Sequence, residues 1–370
     1  MHSRPMIVLL FGGQNAEKNV SVASAQNLLS ALPSDCETLL LFWRPDATVR
    51  PVTAQQLRDH ASPYVTPFQP QLLSASEYGD LSLDQAMRQL AHQARSQNKQ
   101  VIILLGVHGV ECEDGKLQRL LEQEGLAFTG SDSRVSALAF DKIQAKQRVQ
   151  QHGIVTAEHL LLDPAARHTW QNLAQQFLCK HGALVMKPVQ EGSSTGLQFL
   201  DTDEEVVCAM QAAAKVPRPT LLEPKLSGIE LAVGVLQDET GRVTALPCTQ
   251  VKPQAGRCFD YAGKYLGEGV QEITPAQVPD ELAKQAQAMA VQAHKAVGCR
   301  GYSRTDCIAT SAGIVFLEIN TLPGLSPNSF IPQQLRAAGM SLRQFVTTQL
   351  NIAQQAVCAH KQTSDQAVAG

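Results

Sequence analysis

The sequence predicts an α/β protein, α+β in part, that opens on a parallel-sheet domain and continues into two regions marked by antiparallel hairpins. Three observations carry this. Residues 7–11 form a short apolar run that ends in Gly12-Gly13, followed by helical spacing over 21–32 and a second apolar run at 39–42. Residues 184–188 and 197–200 are strand-like and flank a Gly/Ser loop. Residues 301–319 read as one sharp hairpin.

The first run is uniformly apolar, as a strand buried on both faces requires, and strand–helix–strand alternation opens an α/β unit. Residues 45–80 are rich in Pro, Gln and Ser and hold no clear period, so they read as an irregular excursion. Helix 83–97 and the buried strand 101–105 resume the pattern, with a short strand at 127–129. The spacing then predicts one helix over 136–152, a strand–loop–strand hairpin over 184–200, a helix at 204–214 and a strand at 220–223. Strands at 231–236 and 243–246, a long helix at 280–297 and the 301–319 hairpin follow. The polar tail after His360 reads as frayed. Domains of 1–130, 131–222 and 223–370 result.

Composition excludes several classes. With 44% hydrophobic and 18% charged residues in 370, the chain is no disordered segment. Thirty-one Lys and Arg against 34 Asp and Glu argue against a nucleic-acid partner. No apolar run approaches the ~18–20 residues that span a bilayer, and no export signal is visible, so a cytoplasmic protein without a membrane partner is expected. Nine widely spaced cysteines without a CxxC read as reduced core thiols.

The hairpin is the most informative stretch. Arg304 and Asp306 are two apart, as are Glu318 and Asn320, and residues two apart share a strand face. With the turn at Thr310-Ser311-Ala312-Gly313, a single antiparallel register sets Asp306 opposite Glu318 and Arg304 opposite Asn320. Two carboxylates and an amide are oxygen ligands of the kind Mg²⁺ takes, and carboxylates so close need a cation. The same register sends Thr305, Cys307, Leu317 and Ile319 to the other face. Lys187, ending a buried strand ahead of Glu191-Gly192-Ser193-Ser194-Thr195-Gly196, has the environment of a phosphate site or of an ordinary turn. Gly12-Gly13 with Glu17 and Ser21, and His108-Gly109 after strand 101–105, fall at carboxyl strand ends, where open sheets bind ligands.

Taken together, these segments resemble the D-alanine–D-alanine ligase family of the ATP-grasp superfamily over nearly the whole chain. The motifs stand in family order: Phe11-Gly-Gly-Gln-Asn-Ala-Glu17 with Val20-Ser21, His108-Gly109 with Glu113-Asp114-Gly115, and Asp141-Lys142. Lys187-Pro188, Glu191-Gly-Ser-Ser, Glu223, Ser227-Gly228 with Glu230, and Lys264-Tyr265 follow, then Arg304-Thr-Asp306, Glu318-Ile-Asn320-Thr-Leu-Pro-Gly324 and Ser329.

The resemblance implies ATP held between two antiparallel-sheet domains and two Mg²⁺, with Mn²⁺ as a substitute. Lys142 and Lys187 would hold the phosphates, Glu223 and the backbone of Leu226 the adenine, and Glu230 the ribose. Asp306, Glu318 and Asn320 would ligate metal. Glu191, Ser193, Ser194 and Lys264 would belong to the loops that close over the γ-phosphate. Glu17 would bind the donor ammonium, and Arg304 with the Gly324 N–H would stabilise the oxyanion. His108, Ser329 and Phe330 would lie near the acceptor. Ser21, Ser193 and Tyr265 match a hydrogen-bonded clasp over the site. The implied activity joins two D-alanines through an acyl phosphate for peptidoglycan precursors. A same-fold alternative couples D-Ala to D-Ser, D-lactate or another acceptor. A non-catalytic nucleotide-binding regulator would lack a metal ligand or phosphate lysine, and none is missing. The family further implies a homodimer. The chain departs from the family pattern at Asn19, at Val110-Glu111-Cys112 and at Phe330, and its 45–80 segment is longer.

Overall fold

A computed structural model describes residues 5–71, 78, 80–192, 195–215, 218–253 and 270–368, with side chains described as far as residue 356. It contains three sheets. The first is formed by β1 (Met6–Gly12), β2 (Thr38–Trp43), β3 (Thr48–Val52), β4 (Leu81–Ser82), β5 (Val101–Leu105) and β6 (Ala127–Phe128), in the order β4-β3-β2-β1-β5-β6. Strands β1, β2, β5 and β6 are parallel. β1 and β5 are apolar almost throughout and buried on both faces, as central parallel strands must be. Helices α1 (Lys18–Ala31), α2 (Ala54–Arg58), α3 (Leu83–Ser96) and α4 (Lys116–Gln123) belong to this region.

The excursion at 45–80 is more ordered than its composition suggests. It supplies β3 and leads to β4, both antiparallel additions to the sheet edge beyond β2. Pro51 and Arg50 hide the strand from a pattern search, because they break both alternation and β-propensity. A capping box between Thr53 and Gln56 starts α2.

The single helix expected at 136–152 is two: α5 (Ser133–Phe140) and α6 (Lys142–Gln150). They break at Asp141, whose backbone is extended (φ −85°, ψ 105°) and whose carboxylate accepts hydrogen bonds from the Ile143 and Gln144 N–H groups. An Asp with extended backbone at this place is an N-cap, and its satisfied donors stabilise the second helix more than continuity would.

The second sheet contains β7 (Leu160–Leu162), β8 (Leu184–Pro188), β9 (Gln198–Leu200) and β10 (Thr220–Pro224) in the antiparallel order β7-β10-β8-β9. Helices α7 (Trp170–His181) and α8 (Asp203–Lys215) close its core around Trp170 and Phe177. The third sheet is formed by β11 (Ile229–Gln237), β12 (Val243–Ala245), β13 (Thr249–Pro253), β14 (Val270–Ile273), β15 (Tyr302–Thr310) and β16 (Gly313–Asn320). It packs on α9 (Asp280–Val297), whose bounds match the sequence reading. Two last helices are α10 (Phe330–Ala337) and α11 (Leu342–Val368). The backbone of the tail expected to fray thus continues α11 to Val368. Phe345, Val346 and Leu350 of α11 join the core of the first sheet, so the chain's end covers its beginning.

Of the cysteines whose side chains are described, all seven are free; Cys112, Cys248, Cys299 and Cys307 are buried, whereas Cys179 and Cys208 are exposed and correct the expectation of core thiols throughout. No described helix is long and apolar enough to cross a membrane.

Candidate active site

The first sheet reverses its strand order between β1 and β5, and the loops leaving their carboxyl ends diverge there. Such a switch point opens a crevice. Gly12 turns the chain with φ +97°, and a Cβ there would lie 2.2 Å from the Trp43 carbonyl oxygen, so only glycine fits. Ser21, fully buried on α1, ties both loops: its Oγ accepts from the Gly12 N–H at 2.7 Å and donates to the Gly106 carbonyl at 2.6 Å. The hydroxyl's one proton is therefore already committed. The residues expected to join Ser21 in a clasp, Ser193 and Tyr265, lie outside the described residues, as do Ser194 and Lys264.

Asn15 stitches the same two loops. Its amide donates to the carbonyls of His108 (2.8 Å) and Val110 (2.7 Å), and its oxygen accepts from the Glu17 N–H (2.8 Å). Glu17 is buried, and Gly109 (φ +79°) lets the opposite loop approach it: a Cβ on Gly109 would stand 2.3 Å from Glu17 Oε2. His108 is buried as well. Its Nδ1–H donates to the Leu322 carbonyl at 2.9 Å, leaving Nε2 to accept from Ser24 Oγ at 2.8 Å. Burial holds this imidazole below its ordinary pKa, against the attraction of Glu17, and favours the neutral ring. Glu113 accepts from the Gly109 N–H at 3.0 Å; burial first and the Glu17 charge second push its carboxyl up to about 8.

The hairpin pairs as its arithmetic predicts at the functional end: Arg304 faces Asn320 and Asp306 faces Glu318. Beyond Asp306 the register shifts, and Cys307 pairs with Phe316 instead of Leu317. Phe316 is fully buried where Leu317 was expected, because the bulge sends one extra residue outward. Arg304 Nε and Nη2 donate to Asp306 Oδ1 and Oδ2, and its guanidinium lies 5.4 Å from the centre of the Phe330 ring. Among the described residues no three His, Cys, Asp or Glu side chains are grouped to hold a metal ion. Asp306, Glu318 and Asn320 still present an all-oxygen donor set that fits Mg²⁺ in type. Asn320 Nδ2, shielded from solvent without a hydrogen-bond partner among the described residues, leaves that amide unanchored at its nitrogen end.

The lysines converge from two elements. Lys142, at the first position of α6, donates to the Glu191 carbonyl at 2.7 Å and stands 3.9 Å from Glu318 Oε2. Glu191 in turn pairs with Arg218 at 2.9 Å. Lys187 of β8 meets Glu223 Oε2 at 2.6 Å. The other Glu223 oxygen, Oε1, meets Lys146 at 2.5 Å, one helical turn beyond Lys142 and wholly buried. Burial would raise the Glu223 carboxyl, but Lys187 and Lys146 overcome it and hold the group below its ordinary range. Lys146 is depressed by the same burial. Sequence reasoning missed Lys146, although its i+4 spacing from Lys142 put both on one helix face. Glu223 therefore sits among lysines, with Leu226 in the link between β10 and β11 and Glu230 on β11.

Two cavities meet here. One is lined by Glu17, His108, Glu113, Glu272, Arg304, Gly324, Ser329 and Phe330, among others. The second adds Lys142 and Glu191. Both are bounded by Glu113, Gly192, Glu318 and Asn320. Gly324 packs against Ser329, where a Cβ would stand 2.6 Å from Oγ. Glu272, raised to about 7 by burial against the pull of Gln333 and Arg304, was not singled out by the sequence.

A carboxylate-lined crevice at the carboxyl ends of the parallel sheet, next to lysines that α6 and β8 bring to the antiparallel sheets, is the arrangement of an ATP-grasp ligase. The fold agrees with solved structures: a D-Ala:D-Ser ligase, VanG, from Enterococcus faecalis has a TM-score of 0.76 at 24% identity, covering 95% of this chain and all (100%) of its own. The D-alanine-D-alanine ligase from Coxiella burnetii has a TM-score of 0.76 at 22% identity, covering 99% of this chain and 97% of its own. The profile of the D-ala D-ala ligase N-terminus matches residues 6–131, and that of the D-ala D-ala ligase C-terminus matches residues 148–351. A D-alanine--D-alanine ligase of Halalkalibacterium halodurans is 31% identical over 349 residues, 94% of this chain and 98% of its own. One from Ralstonia pickettii is 33% identical over 341 residues, 91% of this chain and 88% of its own. The chain belongs to the D-alanine–D-alanine ligase family.

Proposed function

We propose that the protein is an ATP-dependent ligase that joins two D-alanines, for peptidoglycan precursor synthesis. The observation that carries this reading is the shared wall of the two cavities: Glu318 and Asn320 border both the cavity that Lys142 lines and the Glu17–Arg304 crevice. A carboxylate and a phosphoryl donor brought to that wall from opposite sides would meet. We keep three units, one for each sheet, with the first boundary at 131; the second, at 223, falls within β10, whose last two residues pair with β8 in the second sheet.

The donor carboxylate attacks the γ-phosphorus of ATP; an O–P bond forms and ADP leaves. Glu17 receives the donor ammonium, and Lys142 and Lys187 take phosphate charge. Lys187 must then exchange Glu223 for phosphate, while Lys146 keeps that carboxylate neutralised; Leu226 and Glu230 hold the nucleoside. Glu191, Ser193, Ser194 and Lys264 complete the phosphate enclosure. Two Mg²⁺, held by Asp306, Glu318 and Asn320, would supply charge neutralisation between two anions. The acceptor ammonium gives up a proton and then attacks the acyl carbon as an amine; a C–N bond forms, the C–O bond to phosphate breaks, and phosphate leaves with the second N–H proton. Arg304 and the Gly324 N–H stabilise the intervening oxyanion, and oriented donors of this kind contribute several kcal/mol. His108, Ser329 and Phe330 border the acceptor. Ser21 with Ser193 and Tyr265 would latch the covering loop, which protects the acyl phosphate from water. The enzyme would act in the cytoplasm as a homodimer.

The test supplies ATP, Mg²⁺ and D-Ala, D-Ser or D-lactate, follows phosphate release and identifies products by mass spectrometry. D-Ala-dependent ADP formation with D-alanyl-D-alanine as main product supports the reading; its absence overturns it.

A further inference from the structure

Two carboxylates that line the cavity take none of the roles above: Glu113, which accepts from the Gly109 N–H, and Glu272. Glu272 stands on β14, on the wall that holds Ser329 and Phe330. Its position is built rather than incidental. Gln333, on α10, donates through Nε2 to Glu272 Oε2 at 2.6 Å. The same amide nitrogen donates to the Asn328 carbonyl at 2.6 Å, and the amide oxygen accepts from Thr274 Oγ1 at 3.1 Å. Thr274 is itself joined to Thr249 at 2.6 Å. Both N–H groups of the Gln333 amide and one acceptor direction of its oxygen are thus used, which fixes its orientation and the carboxylate it holds. A half-buried carboxylate carries a desolvation cost, and such a network at a cavity wall implies a cationic ligand.

The cavity's other charges say which one. Arg304 also lines it, with Nε and Nη2 turned to Asp306. His108 is held toward the neutral form, and Glu113 toward its acid. Glu17, on the loop after β1, and Glu272, on β14, are carboxylates on two different walls, apart from Glu318 on the hairpin; burial raises Glu272 to about 7 against the attraction of Arg304. Two amino acids bring two ammonium groups. Glu17 lies with the first-sheet loops, Glu272 with Phe330 and Ser329 at the acceptor side.

We propose that Glu272 is a specificity-determining residue of the acceptor subsite, where its Gln333-held carboxylate receives the acceptor's ammonium and so selects amino acids over hydroxy acids. This rests on the ligase reading above. The chemistry is a preference in binding: a hydroxy acid of the same shape offers no cation to this carboxylate, and a carboxylate left unpaired in a closed site penalises it.

The experiment is competition between D-Ala and D-lactate as acceptors at pH 7.5, with ATP and Mg²⁺ saturating and dipeptide and ester counted by mass spectrometry. Glu272→Gln keeps the shape and an oxygen for Gln333. Its dipeptide-to-ester ratio should fall at least tenfold, while the KM for ATP and for donor D-Ala stays within twofold. Gln333→Leu, which frees the carboxylate without removing it, should fall between wild type and Glu272→Gln. A ratio within twofold of wild type in Glu272→Gln overturns the proposal, as does a rise of both KM values in step, which marks a purely structural role. Wild-type protein that forms neither product overturns the ligase reading, and this proposal with it; an active wild type with an unshifted Glu272→Gln ratio overturns this proposal alone.

Discussion

Arg304 and Asp306 form a two-pronged ion pair along one face of β15, with Nε–Oδ1 and Nη2–Oδ2 distances of 2.8 Å each. The group proposed to meet the oxyanion and the group proposed to meet metal are thus bound to each other. Arg304→Lys cannot make both contacts, because a lysine presents one charged atom. Its kcat should fall about 10²- to 10³-fold, the usual effect of losing one oxyanion donor, with the KM for ATP little changed. Asp306→Asn and Glu318→Gln should abolish turnover with native circular dichroism. Wild-type turnover of either carboxylate variant at saturating Mg²⁺ would remove that position from the metal set.

Glu17 offers a second test. Glu17→Gln should raise the KM for donor D-Ala far more than the KM for ATP. A carboxylate that merely favoured the start of α1 would cost only ~0.3–1 kcal/mol of stability and alter no KM selectively. Steady-state kinetics with D-Ala and ATP varied in turn separates the two.

Lys146 is wholly buried against Glu223. Lys146→Met should destabilise by ~3–5 kcal/mol, the cost of leaving a buried charge with too few partners. Removing the partner as well, in Lys146→Met with Glu223→Gln, should recover part of the loss, read as a non-additive term in a double-mutant cycle of urea unfolding. A strictly additive pair would show that the two groups do not support each other.

Glu113 sets a pH dependence. Burial raises its carboxyl in the folded state from the ordinary 4.5 to about 8, so between these pH values the folded state binds more protons than the unfolded chain. The stabilisation is complete below about 4.5 and is lost as pH rises through about 8, with a slope of at most ~1.4 kcal/mol per pH unit. Glu113→Gln cannot ionise, so its melting temperature should decline less over that window. Parallel wild-type and variant profiles would refute the assignment.

Phe330 narrows the acceptor side. Phe330→Leu should broaden the acceptors used to D-amino acids larger than D-Ala or D-Ser without lowering donor use, as measured by phosphate release across an acceptor series. Preference of the unmodified enzyme for a large D-amino acid would count against this.

What the sequence discloses follows from what is periodic. The Arg304/Asn320 and Asp306/Glu318 pairings could be counted from the turn, because strand geometry repeats every two residues and the turn fixes its origin. The bulge that buries Phe316 in place of Leu317 could not, since an extra residue leaves no mark on composition. Helix α9 was visible from end to end, whereas the α5–α6 break rests on the local backbone of Asp141. Contacts between distant segments were the least legible. Lys146 with Glu223, Ser24 with His108 and Gln333 with Glu272 join elements separated by 77, 84 and 61 residues, and nothing local in the chain announces them.

The turn of α6 that begins at Asp141 has a consequence for how the chain can change length. Lys142 and Lys146 project from one face of that turn to two different anchors, the Glu191 carbonyl and the Glu223 carboxylate. A single inserted or deleted residue between them would rotate one lysine about 100° away from its anchor, while the helix itself would persist. The β2–β4 extension has the opposite character: its anchors are Leu57 and Phe68, which join the core of the first sheet, and a longer or shorter link between such anchors moves neither lysine. Lineages of this enzyme should therefore accumulate gaps around residues 45–80 and keep a constant count from Asp141 to Lys146.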